Sequence, residues 1–317
     1  MFLSLIMPML IGCPSSDCNT VEEYDPVGRI SGVVTNEDGS ALPDVLVEVG
    51  DITTRTSTKG DYVLEGVAPS DDLLVKFSSE GTTETYRQID LHGWETATAN
   101  AVLMDVDHTQ VISAVEGGTV TNGEVDIFFP ERAFGEYEGE VTITFTYFDP
   151  YEDNLLATPG DLSGLALADN NDAKSGTEPA SLVSYGMLNV QMSDQNGDDI
   201  QLVEGASAAV TMPITNGELA DTYHLSDGSE APTWHFDTQR GTWVETGVGI
   251  VSEDEDGVLN FTFTADEFSW WNCDQGYVPS CAFGRITDII KFPVRSAEVV
   301  CQGAQSTSIV TTDEDGN

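Results

Sequence analysis

The sequence predicts an all-β protein made of tandem β-sandwiches, with the chain stopping inside a further β-domain. Three observations carry that reading. Apolar residues recur with period two in short runs, Gly, Asn and Asp punctuate those runs at hairpin spacing, and no helical period is sustained over a useful length. With 317 residues and 40% apolar content, the chain is long enough to bury two cores.

Residues 1–12, "MFLSLIMPMLIG", are uncharged and mostly apolar, far short of the roughly 20 residues that span a bilayer. They read as a secretion signal. The "LIGC" ending at Cys13 resembles a bacterial lipobox, which implies acylation of that Cys and anchoring of the mature chain by buried methylenes. A plain cleaved signal with an incidental Cys13 is the alternative. Pro14 follows the Cys in place of the Asp that retains many lipoproteins in the inner membrane, so the resemblance points to the outer membrane or cell surface. If lipid takes Cys13, four cysteines remain: Cys18, Cys273, Cys281 and Cys301. In an oxidising compartment these allow three disulfide pairings, and spacing does not choose among them.

After a linker at 13–25, residues 26–107 form the first predicted sandwich. Val45, Val47 and Val49 alternate in "VLVEVG", "DYVLEGV" and "LLVKF" follow, and Asn36 to Gly39 and Lys59 to Asp61 supply turns. "GRISGVVTNEDGSALPDVLVEVG", with the later Thr, Gly and aromatic, resembles the carboxypeptidase regulatory-like domain. The resemblance implies a transthyretin-type, Ig-like, noncatalytic sandwich in which Tyr62 anchors the core and Pro43 occupies the loop Pro.

Residues 108–275 predict a larger sandwich. "EVTITFTYF" sets Val141, Ile143, Phe145 and Tyr147 on one face, and Leu259, Phe261 and Phe263 alternate likewise. "EVDIFF", "GMLNVQM" and "AAVTMPI" are further strands, and Thr158 to Pro179 reads as a long exposed loop. "EGGTVTNGEVDIFFPERAF" resembles a β-module of ankyrins and netrin receptors. The run from "PTWHFD" to "FSWWNCD" resembles the ectodomain of the cartilage intermediate layer protein and astroprincin group. That resemblance implies an extracellular setting and no reaction. Residues 281–317 read as an incomplete second regulatory-like repeat: "FGRITDII" echoes "VGRISGVV", and Gly284 to Gly316 spans the same interval as Gly28 to Gly60. Its strands are expected to lack partners.

The 55 acids against 11 Lys and Arg give a formal charge of −44, which repels phosphate and excludes nucleic acid as a partner. No nucleophile elbow, HExxH or phosphate loop is present, and the reading assigns no catalytic residue and no cofactor. His92 and Glu95 form an HxxE, the spacing of a two-ligand zinc motif. It falls inside the first sandwich and reads as a surface loop with a partly buried Trp94. The loops beginning at Asp169, Asp194 and Asp254 offer the oxygen ligands calcium prefers, although hairpin turns use the same residues. Trp234, Trp243, Trp270 and Trp271 read as core plugs rather than a sugar-stacking platform. The sequence therefore points to a lipid-anchored, noncatalytic surface protein with a structural, adhesive or ligand-binding role. A noncatalytic accessory region of a surface carbohydrate-processing or metallopeptidase system is the alternative.

Overall fold

The computed structural model describes residues 26–150, 152–167, 178–215, 217–277, 284–302 and 307–317. The regular structure of the described residues is nearly all strand and forms tandem β-sandwiches.

The first sandwich runs β1 (Gly28–Asn36), β2 (Leu46–Val49), β3 (Ile52–Arg55), β4 (Asp61–Val67), β5 (Ser70–Ser78), β6 (Thr85–Leu91), β7 (Thr96–Thr98) and β8 (Ala101–Leu103). One sheet orders β4, β1 and β7 with β8 also on β1; the other orders β3, β2, β5 and β6. The period-two residues meet between the sheets, where Ile30, Val34, Leu64, Val45, Val47, Val75 and Phe77 form a buried cluster. Tyr62 sits among them, its ring edge-on to Phe77 and its hydroxyl donating to Ala99 O at 2.6 Å. Gly32 is required at the crossing, because a Cβ there would lie 1.9 Å from Ala99 O.

The larger unit contains β9 (His108–Ser113), β10 (Gly118–Thr121), β11 (Asp126–Phe129), β12 (Glu140–Phe148), β13 (Ser163–Ala166), β14 (Glu178–Ser193), β15 (Ala208–Ile214), β16 (Glu230–Asp237), β17 (Thr242–Glu253), β18 (Leu259–Ala265) and β19 (Trp270–Tyr277). A 3-10 turn (Leu155–Ala157) and the short helix α1 (Gly217–Thr222) interrupt the strands. The hydrogen-bonded path is β10-β11-β15-β18-β17-β16-β19-β14-β12-β9, folded into two layers by β17. The first part of β17 pairs with β16, and its last residues, Ile250 to Glu253, pair with β18 in the opposite layer. A bulge opposite Thr233 and Trp234 bends it, and Gly249 permits the corner, since a Cβ there would lie 2.5 Å from the Phe261 ring. Between the layers lie Val141, Ile143, Phe145, Val190, Val210, Phe261, Phe263 and Trp271.

The expected long loop from Thr158 to Pro179 is corrected here. Ser163–Ala166 is a strand, antiparallel to β14 and parallel to β17, and it closes a five-strand ring of β13, β14, β19, β16 and β17. Trp234 plugs the ring, close enough that a Cβ on Gly164 would meet its indole at 3.0 Å. Period two fails as a signal for so short a strand in a Gly-rich setting.

The two sandwiches share a third buried cluster. Tyr86, Val102 and Met104 of the first pack with Phe148, Leu155, Trp234, Phe236, Trp243 and Trp270 of the second. Phe148 explains why β12 is buried on both faces at its end. Arg87, 2% exposed, spans the joint: it donates to Tyr86 O at 2.7 Å and Asn100 O at 3.1 Å on one side, and to Thr158 O at 2.9 Å and Leu156 O on the other.

At the C-terminus, β20 (Glu298–Gln302) and β21 (Thr307–Thr311) pair with each other, contrary to the expectation that these strands lack partners. None of the described residues there joins an apolar cluster. Their backbone plan repeats that of Val34–Asp61. Val34 N bonds Gly60 O as Ile286 N bonds Gly316 O, and Leu42 N bonds Val34 O as Val294 N bonds Ile286 O. The Thr56 hydroxyl bridges Leu42 O and Val45 N as that of Thr312 bridges Val294 O and Ala297 N. Asp44 and Ser296 both take positive φ. In this match Gly284 falls on Gly32, four residues beyond the Gly28 that the sequence echo selects, while Gly316 does fall on Gly60. A longer hairpin between β20 and β21 absorbs the difference.

Candidate functional site

The corner made by β17 opens a cleft of about 910 Å³ between the two layers. β17 contributes Val244 and the run Thr246 to Ile250, β16 contributes Thr233, His235 and Asp237, β18 contributes Thr262 to Thr264, Trp271 closes the deep end, and the exposed Asp266 and Glu267 complete the lining. Gly205, Ala206 and Ala209 form a low opposite wall. Across the mouth two strand edges stand apart. Among the described residues, Thr246 to Gly249 pair only with β16, and Phe263 to Ala265 pair only with β15. Their outward N–H and C=O groups have no ladder partner.

His235 organises the deep end. Its ring lies 4.9 Å from that of Trp271, its Nδ1 is 3.2 Å from Glu267 Oε1, and its Nε2 is 2.9 Å from Ser269 Oγ. Burial pulls the imidazole down to about 4 despite the nearby carboxylates of Asp237 and Asp266, so the ring is neutral near pH 7. Glu267 is pushed up by partial burial and by repulsion from Asp266 and Asp237. The Glu-His-Ser order resembles a nucleophile relay, but Ser269 also lies 3.1 Å from Phe236 O and is not part of the cleft lining. The hydroxyl therefore ties strand to strand behind the imidazole, away from any ligand space.

All four tryptophans of this unit are buried, each 2% exposed or less. Their indoles brace the structure: Trp270 Nε1 donates to Glu84 O at 2.8 Å across the joint, and Trp271 Nε1 donates to Glu267 O at 2.9 Å. No face is left for a sugar ring to stack on.

His92 and Glu95 flank a tight turn closed by Glu95 N to His92 O at 3.3 Å. Glu95 bonds Arg295 and lies 3.4 Å from the Ser296 hydroxyl, and Trp94 is 71% exposed rather than partly buried, because positive φ throws it outward. The loops at Asp194 and Asp254 are hairpin turns. Asp194 Oδ1 accepts from Asn196 N and Asp198 N, Asp254 Oδ1 accepts from Asp256 N and Val258 N, and these bonds hold both carboxyls below the usual range. Asp169, Cys13, Cys18 and Cys281 lie outside the described residues. Cys273 is a buried free thiol in the core, and Cys301 is an exposed one. Among the described residues no three His, Cys, Asp or Glu side chains gather as metal ligands, and no helix is long and apolar enough to cross a membrane.

The cleft went unrecognised in the sequence. The signal available was "TGVGI", two glycines alternating inside a strand, where close backbone approach is the usual reason for Gly.

Residues 29–104 match the carboxypeptidase regulatory-like domain family. Residues 161–274 match the family described as FAM171A1/A2/B, N-terminal, and this stretch holds most of the cleft. Among solved structures, the chain is similar to a protein of Bacteroides uniformis described as a "putative carbohydrate binding protein", with 11% identity, 76% of this chain and 99% of that chain covered, and a TM-score of 0.21. A Bacteroides fragilis protein described as a "putative membrane-associated protein of unknown function" matches at 7% identity, with 80% and 99% covered and a TM-score of 0.22. A DUF3823 family protein of Parabacteroides merdae matches at 10% identity, with 55% and 94% covered and a TM-score of 0.20.

Proposed function

We propose that this chain is a noncatalytic, modular β-sandwich protein held at the outer membrane or cell surface by lipid on Cys13, where it serves as a binding scaffold. The observation that carries the reading is the contrast between the joint and the corner. At the joint, Arg87 and the indole of Trp270 bond across the two sandwiches, and apolar residues of both are buried together. At the corner, two strand edges carry no ladder partner among the described residues, and the exposed carboxylates of Asp266 and Glu267 stand beside them, Glu267 reaching His235 Nδ1 at 3.2 Å. A stiff support carrying one open mouth fits capture, and the bonding of Ser269 and Glu95 leaves neither placed for chemistry. Cys13 supplies the anchor by the lipobox resemblance.

The test is metabolic labelling with radioactive palmitate, followed by fractionation. Label is expected on the wild type and lost in Cys13→Ala, with the variant released from membranes. Absence of label, or label that survives the substitution, removes the anchor from this reading.

A further inference from the structure

The corner cleft has the geometry of a missing strand. β17 leaves the layer of β16 at its glycine-bearing corner and joins β18, so the edges of Thr246–Gly249 and Phe263–Ala265 diverge around an opening. Four residues of extended chain span about 13 Å, which is the length of open edge on β17. Gly247, Gly205, Ala206 and Ala209 leave backbone accessible beside those edges, and the exposed side chains of Val248 and Ile250 add apolar surface between them. Thr264 adds a hydroxyl along the same path, while those of Thr246 and Thr262 bond Thr233 O and the Thr211 hydroxyl. Asp266 and Glu267 stand exposed at one side of the cleft, Asp237 is paired with Arg240 at 3.5 Å, and no Lys or Arg lines the cleft itself.

Resting on the reading of this unit as a binding scaffold, we infer that the cleft binds an extended, basic polypeptide segment by strand addition, with Lys or Arg side chains of the guest paired to Asp266 and Glu267. Backbone hydrogen bonds to the open edges supply sequence-tolerant affinity, and the carboxylates supply selection. A guest cation also relieves the repulsion between Asp266 and Glu267, since the neutral His235 brings no compensating charge and Arg240 is engaged with Asp237.

The experiment uses the full chain and three synthetic probes: an acetylated hexapeptide of alternating lysine and valine, its glutamate counterpart, and a proline-containing version that cannot donate to a ladder. Calorimetry is expected to give the lysine peptide at least about tenfold tighter binding than either of the others. Amide exchange is expected to slow at residues 246–249 and 263–265 when it binds. Asp266→Asn and Glu267→Gln are both on exposed residues, so they leave the fold intact, and each is expected to weaken the lysine peptide severalfold. Equal affinity for the lysine and glutamate peptides overturns the proposal. So does full exchange protection of 246–249 without any peptide, because the mouth is then already occupied by the protein's own chain. Binding on a glycan array with no peptide binding overturns the guest while leaving the scaffold reading standing. Palmitate labelling is independent of all three outcomes.

Discussion

Replacing Arg87 with Ala tests whether the two sandwiches are one cooperative body. The guanidinium is buried, and desolvation pulls it down to about 10, so keeping it charged costs about 3 kcal/mol. Against that cost it satisfies the carbonyls of Tyr86, Asn100, Leu156 and Thr158 and meets the Thr85 hydroxyl. Tyr86 O keeps the Gly160 N–H and Thr158 O keeps the Thr85 hydroxyl, so the substitution strands the part-buried carbonyls of Asn100 and Leu156, at about 1–3 kcal/mol each, and the vacated volume adds a cavity cost. The net expectation is a loss of about 2–5 kcal/mol, concentrated at the joint because Leu156 and Thr158 belong to the second unit. Arg87→Met keeps the volume and removes the bonds; Arg87→Lys keeps charge but lacks the fork needed to reach both sides. In scanning calorimetry the wild type is expected to unfold in one transition, and the Ala and Met variants in two, the first at lower temperature. A single transition with an unchanged midpoint in both variants refutes the reasoning.

Two further outcomes follow from buried groups. His235 is held near 4 against an ordinary 6.5, so between those pH values the unfolded chain takes up a proton that the folded chain refuses. Stability is lost as pH falls through that window, by up to about 3 kcal/mol from this residue. Asp153, raised to about 6 by burial, acts in the opposite sense, so the measurement is the difference between wild type and His235→Gln in urea unfolding at about pH 7 and about pH 4.5. The variant is expected to lose less, and parallel losses contradict the assignment. For the cysteines, iodoacetamide applied to the native chain is expected to modify Cys301 within minutes and Cys273 only after denaturation, read by peptide mass mapping, since burial raises the Cys273 thiol well above its usual range. Fast labelling of Cys273 would mean that the core around it opens.

Much of the fold was legible because period two and turn chemistry are local. The strand from Glu140 to Phe148 follows from spacing alone, the burial of Tyr62 was implied by the regulatory-like resemblance, and hairpin turns were one of the two readings open for the Asp194 and Asp254 clusters. What escaped depends on distance along the chain. Ser163–Ala166 is strand because β14 and β17 offer it edges, and nothing within its own four residues says so. The corner in β17 arises where two layers part, and the lining of the cleft comes from segments about 60 residues apart. In the sequence His235 is one of four histidines with no shared motif. Only the fold sets it beside Trp271, Glu267 and Ser269.

The C-terminal copy of the Val34–Asp61 plan carries a colloidal consequence. In the first copy the tight turn reads Asn36-Glu37-Asp38-Gly39-Ser40 and is wholly polar. Its counterpart reads Asp288-Ile289-Ile290-Lys291-Phe292, with Ile289 fully exposed, Ile290 at 68% and Phe292 at 65%. The same backbone thus presents water with a sticky knob, on a molecule whose copies repel one another through a charge of −44. That repulsion reaches about 10 Å at 0.1 M salt and about 3 Å at 1 M. Salt therefore sets how closely two such knobs approach, and the acidic surface acts as the spacer that keeps crowded copies apart.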